Sequence, residues 1–241
     1  MIRNKVTFNI DNWNPKTEIG KKVKAREITD IADILDNGFR ILEPEIVDVL
    51  LPNLTTDLLE VGRSKGKFGG GKGSIWKQTQ KKTSEGNRIK FSAFAVVGNK
   101  DGYVGVGFGS SKETVPAREK ALRAAKLNLI KIRRACGSWD CDCKTAHSIP
   151  FKIQGKSGSV IVTFMPAPRG TGLKAERKSR VILSLAGIKD VYTKTRGKTA
   201  TKLNFFKAVF DALTQLSKIK VKPEYVVEAG VVEGSTIRRD L

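Results

Sequence analysis

Histidine and cysteine are scarce in this sequence, and long apolar runs are missing. One histidine and three cysteines occur in 241 residues, all of them within residues 136–147. Three clustered cysteines do not make the disulfide framework of a secreted domain, so we expect a cytoplasmic protein. No apolar run is long enough to cross a bilayer, and the first residues lack the apolar core of a signal peptide, so we expect no membrane partner.

Acidic residues are also few, and their distribution is uneven. The chain has 45 lysines and arginines against 24 acidic residues, a net charge of +21. Residues 1–60 hold 8 basic and 11 acidic side chains, residues 61–135 hold 18 and 4, and residues 136–241 hold 19 and 9. Charge of one sign on segments that are apolar enough to fold predicts a polyanionic partner. Nucleic acid is favoured over a solubilising or membrane-facing surface, because no strongly amphipathic membrane helix is evident.

The clearest structural pattern lies in residues 88–134. Apolar residues recur at every second position over residues 89–97, the period of a half-buried strand. Residues 99–102 supply a hairpin turn, since Asp-Gly tolerates the positive φ that such a turn needs. Residues 103–108 return as a second strand. Alternate glycines there, Gly105, Gly107 and Gly109, allow a helix or an RNA backbone to approach closely.

A helix is predicted to follow this hairpin. Pro116 fits the first turn of a helix, so the helix begins near residues 111–114, and the pattern extends it to about residue 134. The side opposite its apolar residues carries candidate RNA-binding cations: Lys120, Arg123, Lys131 and Arg134. An antiparallel hairpin backed by a helix with a cationic stripe is typical of a double-stranded-RNA-binding domain.

The residues before this domain are predicted to form an arm. Residues 1–12 are expected to be disordered or weakly tethered, and residues 13–20 are expected to be extended or turn-like. Short helices are predicted from Thr29 or Asp30 to Leu35 and over residues 43–51. The arm either packs on the body of the protein or docks on a neighbouring protein.

A glycine-rich stretch, residues 62–74, resembles a phosphate-binding loop without completing it. Gly66, Gly71 and Lys72 have the P-loop spacing, but Gly73 stands where a serine or threonine must bind magnesium. The alternate glycines at 105–109 miss the dinucleotide-binding spacing by one residue. A flexible cationic loop is therefore favoured over nucleotide hydrolysis.

A second polar loop is predicted over residues 80–90. Gly86-Asn87 marks its turn, so its flanking strands form a hairpin with a cationic tip. The tip is either simply solvated or in contact with RNA.

All three cysteines and the histidine belong to one motif: Cys136, Cys141, Cys143 and His147. Three thiolates and a neutral imidazole are a complete set of tetrahedral zinc ligands, so one structural zinc ion is predicted here. The spacing is not that of a standard zinc finger, and cysteines in a reducing compartment need no partner, so free thiols stay an alternative. A catalytic Cys-His pair is disfavoured because nothing nearby shapes a substrate pocket.

The remaining pattern predicts a second domain. Its expected elements are strands at 149–153 and 159–164 joined by a turn over 154–158, a helix at 174–186, a strand at 190–195 and a helix at 203–216. Two basic, glycine-containing loops each precede a helix, where backbone amides and cations bind phosphate well. Glycines that merely permit tight turns explain either loop nearly as well. The candidate RNA-binding residues of these loops are Arg169, Gly170, Gly172, Arg196 and Lys198.

These patterns predict a two-domain α+β protein. The expected divisions are an N-terminal arm with short helices (1–53), a double-stranded-RNA-binding-like domain with a sheet and one helix (54–135), a Cys/His linker (136–147), a second α+β domain (148–220) and a variable C-terminal tail (221–241).

Several segments together resemble the universal small-subunit ribosomal protein family number five. The matching segments are FSAFAVVG at 91–98, GYVGVG at 102–107, KLNLI at 126–130, PAPRGTG at 166–172, AGIKDV at 186–191 and NFFKAVFDAL at 204–213. They follow the family's order over residues 13–217. Residues 13–20 and the arm resemble the archaeal and eukaryotic branch.

The resemblance implies a second domain of β-α-β-α type and a set of partners. These are small-subunit ribosomal RNA, ribosomal proteins three and four, and messenger RNA near the path by which it enters the subunit, with a role in subunit assembly and decoding accuracy. The resemblance also assigns RNA contacts to the hairpin-loop residues Lys81, Lys82 and Arg88. No enzymatic activity is implied, because the likeness of the second domain to kinases does not extend to the required hydroxyl and acidic residues.

Two features depart from the family. The stretch at 62–74 has no counterpart, and the cysteine motif is absent from eukaryotic relatives, so the fold does not depend on zinc. A kinase-like phosphotransferase and a free regulatory RNA-binding protein are the competing hypotheses. Motifs spread over the whole chain favour a ribosomal protein over both.

Overall fold

The computed structural model describes residues 13–64 and 71–235. Over these residues the protein is a mixture of helices and strands, as predicted, and it divides into two compact units. The first unit contains residues up to Val97 and Gly105–Leu129. The second contains Gly98–Val104 and the chain from Ile130 onward. No described helix combines the length and the apolar character needed to cross a membrane.

The bounds of the described elements are as follows. The helices are α1 (Glu18–Lys24), α2 (Ile31–Asp36), α3 (Pro44–Leu50), α4 (Thr114–Leu127), α5 (Arg177–Leu185), α6 (Lys202–Lys218) and α7 (Pro223–Glu228). The strands are β1 (Thr55–Leu59), β2 (Gly62–Ser64), β3 (Lys72–Ser74), β4 (Lys77–Thr83), β5 (Gly86–Gly98), β6 (Tyr103–Ser111), β7 (Leu129–Lys131), β8 (Arg133–Arg134), β9 (Ile153–Ser157), β10 (Val160–Pro166), β11 (Leu173–Lys174), β12 (Val191–Arg196) and β13 (Val232–Glu233).

A five-stranded sheet dominates the first part of the fold. Its order is β1-β5-β6-β7, and β4 pairs with the other end of β5. Helix α4 lies so close to β6 that a Cβ on Gly105, Gly107 or Gly109 would overlap its backbone. Its facing residues are the fully buried Ala117, Ala121 and Ala125. Of the two partners predicted for the glycines, the structure therefore places the helix there.

Helix α4 ends at Leu127, so the predicted extension to residue 134 is wrong. Leu129 and Ile132 are spaced for a helix, but their segment enters strands β7 and β8 instead. Ile132 is fully buried, and its N–H donates to the Gly102 carbonyl over 2.8 Å. The apolar spacing of a helix continues beyond the end of α4, but strand pairing with distant residues and burial determine the structure there.

The arm contains one helix more than predicted. The segment predicted as extended or turn-like over residues 13–20 ends at Thr17, because α1 begins at Glu18. The Thr17 hydroxyl caps this helix by accepting from Gly20 N–H over 3.1 Å. Helices α2 and α3 are confirmed at nearly the predicted bounds. The expectation for residues 1–12 lies outside the described residues.

Glu43 accepts hydrogen bonds from the first described residues of this arm. Its carboxylate accepts hydrogen bonds from Lys16 N–H, Thr17 N–H and the Trp13 indole over 2.8, 2.6 and 3.2 Å. Burial raises the pKa of Glu43, but the hydrogen bonds from Thr17, Lys16 and Trp13 outweigh burial, and the pKa is lowered from its ordinary value. The folded arm therefore favours the ionised carboxylate.

The glycine-rich stretch is more ordered at its ends than predicted. Strands β2 and β3 pair antiparallel, from Gly62 opposite Ser74 to Ser64 opposite Lys72. Such pairing uses backbone groups and needs no apolar side chains, so composition gave no sign of it. The middle of the stretch, residues 65–70, lies outside the described residues.

A four-stranded sheet of order β11-β12-β10-β9, with α6 packed on it, forms the main body of the second unit. A Cβ on Gly155 of β9 would overlap the α6 backbone at Ala208 and Ala212, so glycine permits this close packing. Strand β12 and helix α6 are confirmed. The predicted strand at 149–153 is wrong, because β9 occupies most of the expected turn and the chain reverses at Gly158, with φ +61°.

The C-terminal tail is structured as far as the structure describes it. Strand β13 pairs with β8, and the Tyr225 hydroxyl of α7 donates to the Pro150 carbonyl over 2.5 Å. Residues 223–235 of the predicted variable tail therefore belong to the folded second unit. Residues 236–241 lie outside the described part.

Candidate metal centre and nucleic-acid interface

The predicted zinc ligands converge in the second unit. One ligand atom from each of Cys136, Cys141, Cys143 and His147 can be chosen so that all lie within 4.8 Å of one another. Thiolates and an imidazole nitrogen about 2.0–2.3 Å from a tetrahedral zinc ion lie somewhat closer together than this, about 3.5–3.8 Å apart. The four groups therefore need only a small contraction to hold one metal ion.

Backbone hydrogen bonds fix the loop between the first two cysteines. Cys136 N–H donates to the Ala229 carbonyl over 2.9 Å, and Cys141 N–H donates to the Ser138 carbonyl over 3.3 Å. A Cβ on Gly137 would overlap the Pro150 carbonyl, so glycine is required at that point of the loop. Cys136 and His147 are buried, and Cys141 and Cys143 are half-buried.

The thiols differ in acidity. Burial raises the pKa of Cys136 to about 11, and its hydrogen bond with Cys143 adds to the increase. Hydrogen bonds from the hydroxyl and the backbone of Thr145 lower the pKa of Cys143 to about 6. Cys143 is therefore the more readily ionised of these two thiols, while burial disfavours the thiolate of Cys136.

Asp190 supports the histidine from behind. Its carboxylate lies 2.9 Å from His147 Nδ1 and accepts a hydrogen bond from Gly172 N–H over 2.7 Å. Both His147 and Asp190 are buried. A carboxylate on the second ring nitrogen is the usual outer partner of a metal-bound histidine, because it fixes the tautomer and leaves Nε2 for the metal. Local sequence patterns give no sign of this contact, since 43 residues separate the two side chains.

The same carboxylate orients the first basic loop. Arg169 and Gly170 are exposed, and Thr171 closes a turn onto the Pro168 carbonyl. Gly170 and Gly172 have φ of +89° and +71°, and a Cβ on either would meet nothing within 4 Å. These glycines serve the turn and leave the backbone open to a ligand.

This loop does not lead directly into a helix, contrary to prediction. It enters strand β11, and α5 begins only at Arg177. The first N–H groups of α5 are already used, because Lys178 and Ser179 donate to the Glu176 carboxylate. Phosphate binding at the N-terminus of α5 is therefore not supported.

The second basic loop does precede its helix. Arg196 and Lys198 are exposed, and a Cβ on Gly197 would overlap the Ser159 carbonyl. Helix α6 begins at Lys202, and the side chain of Thr201 before it makes no capping hydrogen bond. Cations and N–H groups are thus available at this end of the helix.

The hairpin of β4 and β5 projects basic residues from the first unit. Lys81 lies opposite Arg88 and Lys82 opposite Asn87 across the strands, and all four are exposed. Thr83 pairs with Gly86, so the turn is formed by residues 84–85 and not by Gly86-Asn87 as predicted. Like charges opposite each other destabilise a strand pair unless an anion neutralises them.

The predicted cationic stripe on one helix is not present as such. Lys120 and Arg123 lie exposed on α4, and Arg123 forms an ion pair with Glu45 over 3.5 Å. Lys131 lies on β7 and pairs with Glu233. Arg134 is buried and ion-paired with Asp101 over 2.5 Å, so its guanidinium stabilises the interior of the second unit and is no surface contact for RNA.

Comparison with known proteins identifies the two halves of this chain. Residues 75–133 match the family model described as "Ribosomal protein S5, N-terminal domain", and residues 155–224 match "Ribosomal protein S5, C-terminal domain". The chain is 50% identical over 231 residues to the small ribosomal subunit protein uS5 of Nanoarchaeum equitans, covering 96% of this chain and 99% of that protein. It is 48% identical over 230 residues to the protein of the same name from Methanocaldococcus jannaschii, covering 95% and 99%.

Proposed function

Because the chain belongs to the ribosomal protein S5 family, whose members are structural constituents of the small ribosomal subunit and not enzymes, we propose that it binds the RNA of that subunit through exposed cationic loops. The proposed contacts are Lys81, Lys82, Arg88, Lys120, Arg123, Arg169, Gly170, Gly172, Arg196 and Lys198. The family assignment removes the phosphotransferase hypothesis.

The hairpin of β4 and β5 carries this proposal. Every residue of β4 is exposed, and so are the first five of β5, so this part of the hairpin lies largely in solvent within the described chain. Lys81 and Arg88 face each other there. A protein gains nothing in stability from such an arrangement, whereas a phosphate backbone would neutralise both charges and release its counterions.

A salt titration tests the hairpin directly. We expect Lys81→Ala/Lys82→Ala/Arg88→Ala to weaken binding to small-subunit ribosomal RNA and to lower the slope of log K against log salt by about 0.7–0.9 for each phosphate that is no longer neutralised. The matched control is Lys21→Ala/Lys22→Ala/Arg40→Ala, which removes the same charge from exposed positions of the arm. Equal affinities and slopes for the two variants would refute the hairpin assignment.

We also propose that Cys136, Cys141, Cys143 and His147 hold one structural zinc ion. The ligand set, the convergence of the four groups and the carboxylate behind His147 support it. Zinc analysis of the native protein should give about one ion per chain. Cys141→Ser/Cys143→Ser should lose that ion, and a native protein without metal would contradict the proposal.

The family resemblance further supports a specific position in the subunit. We propose contacts with ribosomal proteins three and four, with the arm as one docking element, and a location near the path of incoming messenger RNA with an influence on decoding accuracy. Cross-linking of intact small subunits followed by mass spectrometry tests these neighbours. Cross-links that connect this chain only to other proteins would contradict the assignment.

A further inference from the structure

Trp139 is the most exposed large apolar side chain among the described residues. It is 97% exposed at the tip of the loop between Cys136 and Cys141. An indole is among the largest apolar surfaces that a side chain can bury, and leaving it in water forgoes that stabilisation. Nothing in the described part of the second unit covers this ring, so a ligand must account for it if it has a role.

A cavity of about 440 Å³ lies beside this ring. The loop residues 137–140 form part of its wall. The other lining residues include Lys152, Met165, Pro168 and Tyr192. The cavity falls within the size range of small-ligand sites, about 300–1,000 Å³. Tyr192 is itself 39% exposed, so two aromatic rings border one accessible space.

From this arrangement we infer a binding site for one unpaired nucleobase, formed by Trp139, Tyr192 and the cavity between their loops. The inference rests on the proposed function, since it assumes that the chain binds RNA. Aromatic rings stack on any base, and only an unpaired base has a face free for stacking.

The polar groups of the cavity wall fit a nucleotide. The Asp140 carboxylate can accept from the exocyclic amino group of cytosine or adenine, and Lys152 supplies a cation for the attached phosphate. Pro168 lines the cavity and is followed by the exposed Arg169 of the basic loop. One RNA chain could therefore place a base in the cavity and a neighbouring phosphate against the basic loop that contains Arg169.

Charge favours RNA over a protein as the occupant. Residues 136–241 hold 19 basic side chains against 9 acidic ones, which attracts a polyanion to this half of the chain. The loop that carries Trp139 is already fixed by hydrogen bonds to Ala229 and Ser138, so little ordering cost remains when a base binds.

Indole fluorescence separates base stacking from general attraction of RNA. Trp13 is buried and Trp76 is half-buried, so Trp139 is the most accessible of the three indoles, and Trp139→Phe isolates its signal. The probes are a short oligoadenosine and an abasic ribose-phosphate chain of equal length, added to the full-length protein. We expect quenching by oligoadenosine, none by the abasic chain, and no quenching in Trp139→Phe.

Affinity provides the second arm of the test. Trp139→Ala should weaken oligoadenosine binding at this site by about 5- to 150-fold, the range for one stacked base, without changing the salt slope. Trp139→Phe should retain most of the affinity. The ring is exposed, so thermal unfolding of both variants should match the wild type.

Three results would overturn the inference. One is equal quenching by the abasic chain, and another is unchanged affinity in Trp139→Ala. The third is Trp139→Ala that binds RNA normally yet fails to enter small subunits, because Trp139 would then dock a protein. If the wild type binds neither probe nor ribosomal RNA, the proposed function itself fails.

Discussion

Replacing Asp190 is the most informative perturbation of the proposed metal centre. Asp190 is 4% exposed, and its carboxylate bonds His147 with one oxygen and Gly172 N–H with the other. It therefore joins the ligand histidine to the basic loop at residues 169–172. Asp190→Ala removes both acceptor oxygens and leaves all four proposed zinc ligands unsubstituted.

The magnitude follows from the two groups left behind. The His147 ring donor is buried, and losing its acceptor costs about 1–3 kcal/mol, whereas the half-buried Gly172 N–H can bond water, so Asp190→Ala should lower the free energy of unfolding by about 1–3 kcal/mol. Loss of an outer carboxylate weakens a histidine-bound metal about 10- to 100-fold. Asp190→Asn keeps one acceptor oxygen, so its free energy of unfolding and its zinc affinity should both fall less than those of Asp190→Ala.

Competition with a chelator measures the zinc affinity, and urea unfolding with excess zinc measures the stability. Asp142→Ala is the matched control, because it removes an exposed acidic side chain within the cysteine motif. If Asp190→Ala binds zinc as tightly as the wild type, the role of Asp190 behind His147 is refuted. If zinc affinity falls equally in Asp190→Ala and Asp142→Ala, the loss reflects general electrostatics and not the positioning of His147.

Two further predictions concern the first unit. Gly107→Ala would push a Cβ into the α4 backbone at Ala121 and Ala125, so we expect the free energy of unfolding to fall by about 1–3 kcal/mol or more; an unchanged urea midpoint would contradict this packing. The lowered pKa of Glu43 means that its contribution to stability is present above the ordinary glutamate pKa of about 4.3 and is lost as the pH falls through the lowered value. Trp13 fluorescence should therefore change in acid in the wild type; a transition of equal size in Glu43→Gln would show that another group is responsible.

Sequence patterns predicted correctly those elements whose own apolar spacing shows which face is buried. The hairpin around residues 99–102 follows from strand alternation and an Asp-Gly turn, and α6 follows from a helical apolar stripe. The cysteine motif also predicted its own convergence, because its four residues span only twelve positions. In each case the determining interactions lie close together along the chain.

The elements that were missed depend on distant partners. Strand β13 pairs with β8, about 100 residues earlier in the chain, so composition suggested only a tail. Arg134 has the spacing of a cation on a helix surface, yet it is buried and forms an ion pair with Asp101. Asp190 appeared only as a residue of a family motif, and its contact with His147 became visible in the fold.

The arm shows how a short helix escapes notice. Helix α1 has seven residues, too few for a clear apolar period. The capping Thr17, the acidic Glu18 and the basic last turn were available as signals, but Pro15 and the surrounding polar residues suggested an extended segment.

Sedimentation of the native protein through a high-salt sucrose gradient of cell extract tests the central claim most directly. A structural constituent of the small subunit is held by many phosphate contacts and by neighbouring proteins, so it should stay with that subunit at salt concentrations that strip loosely bound basic proteins. Its appearance in the light fractions, while other proteins of the subunit sediment normally, would contradict the account and favour a free RNA-binding regulator.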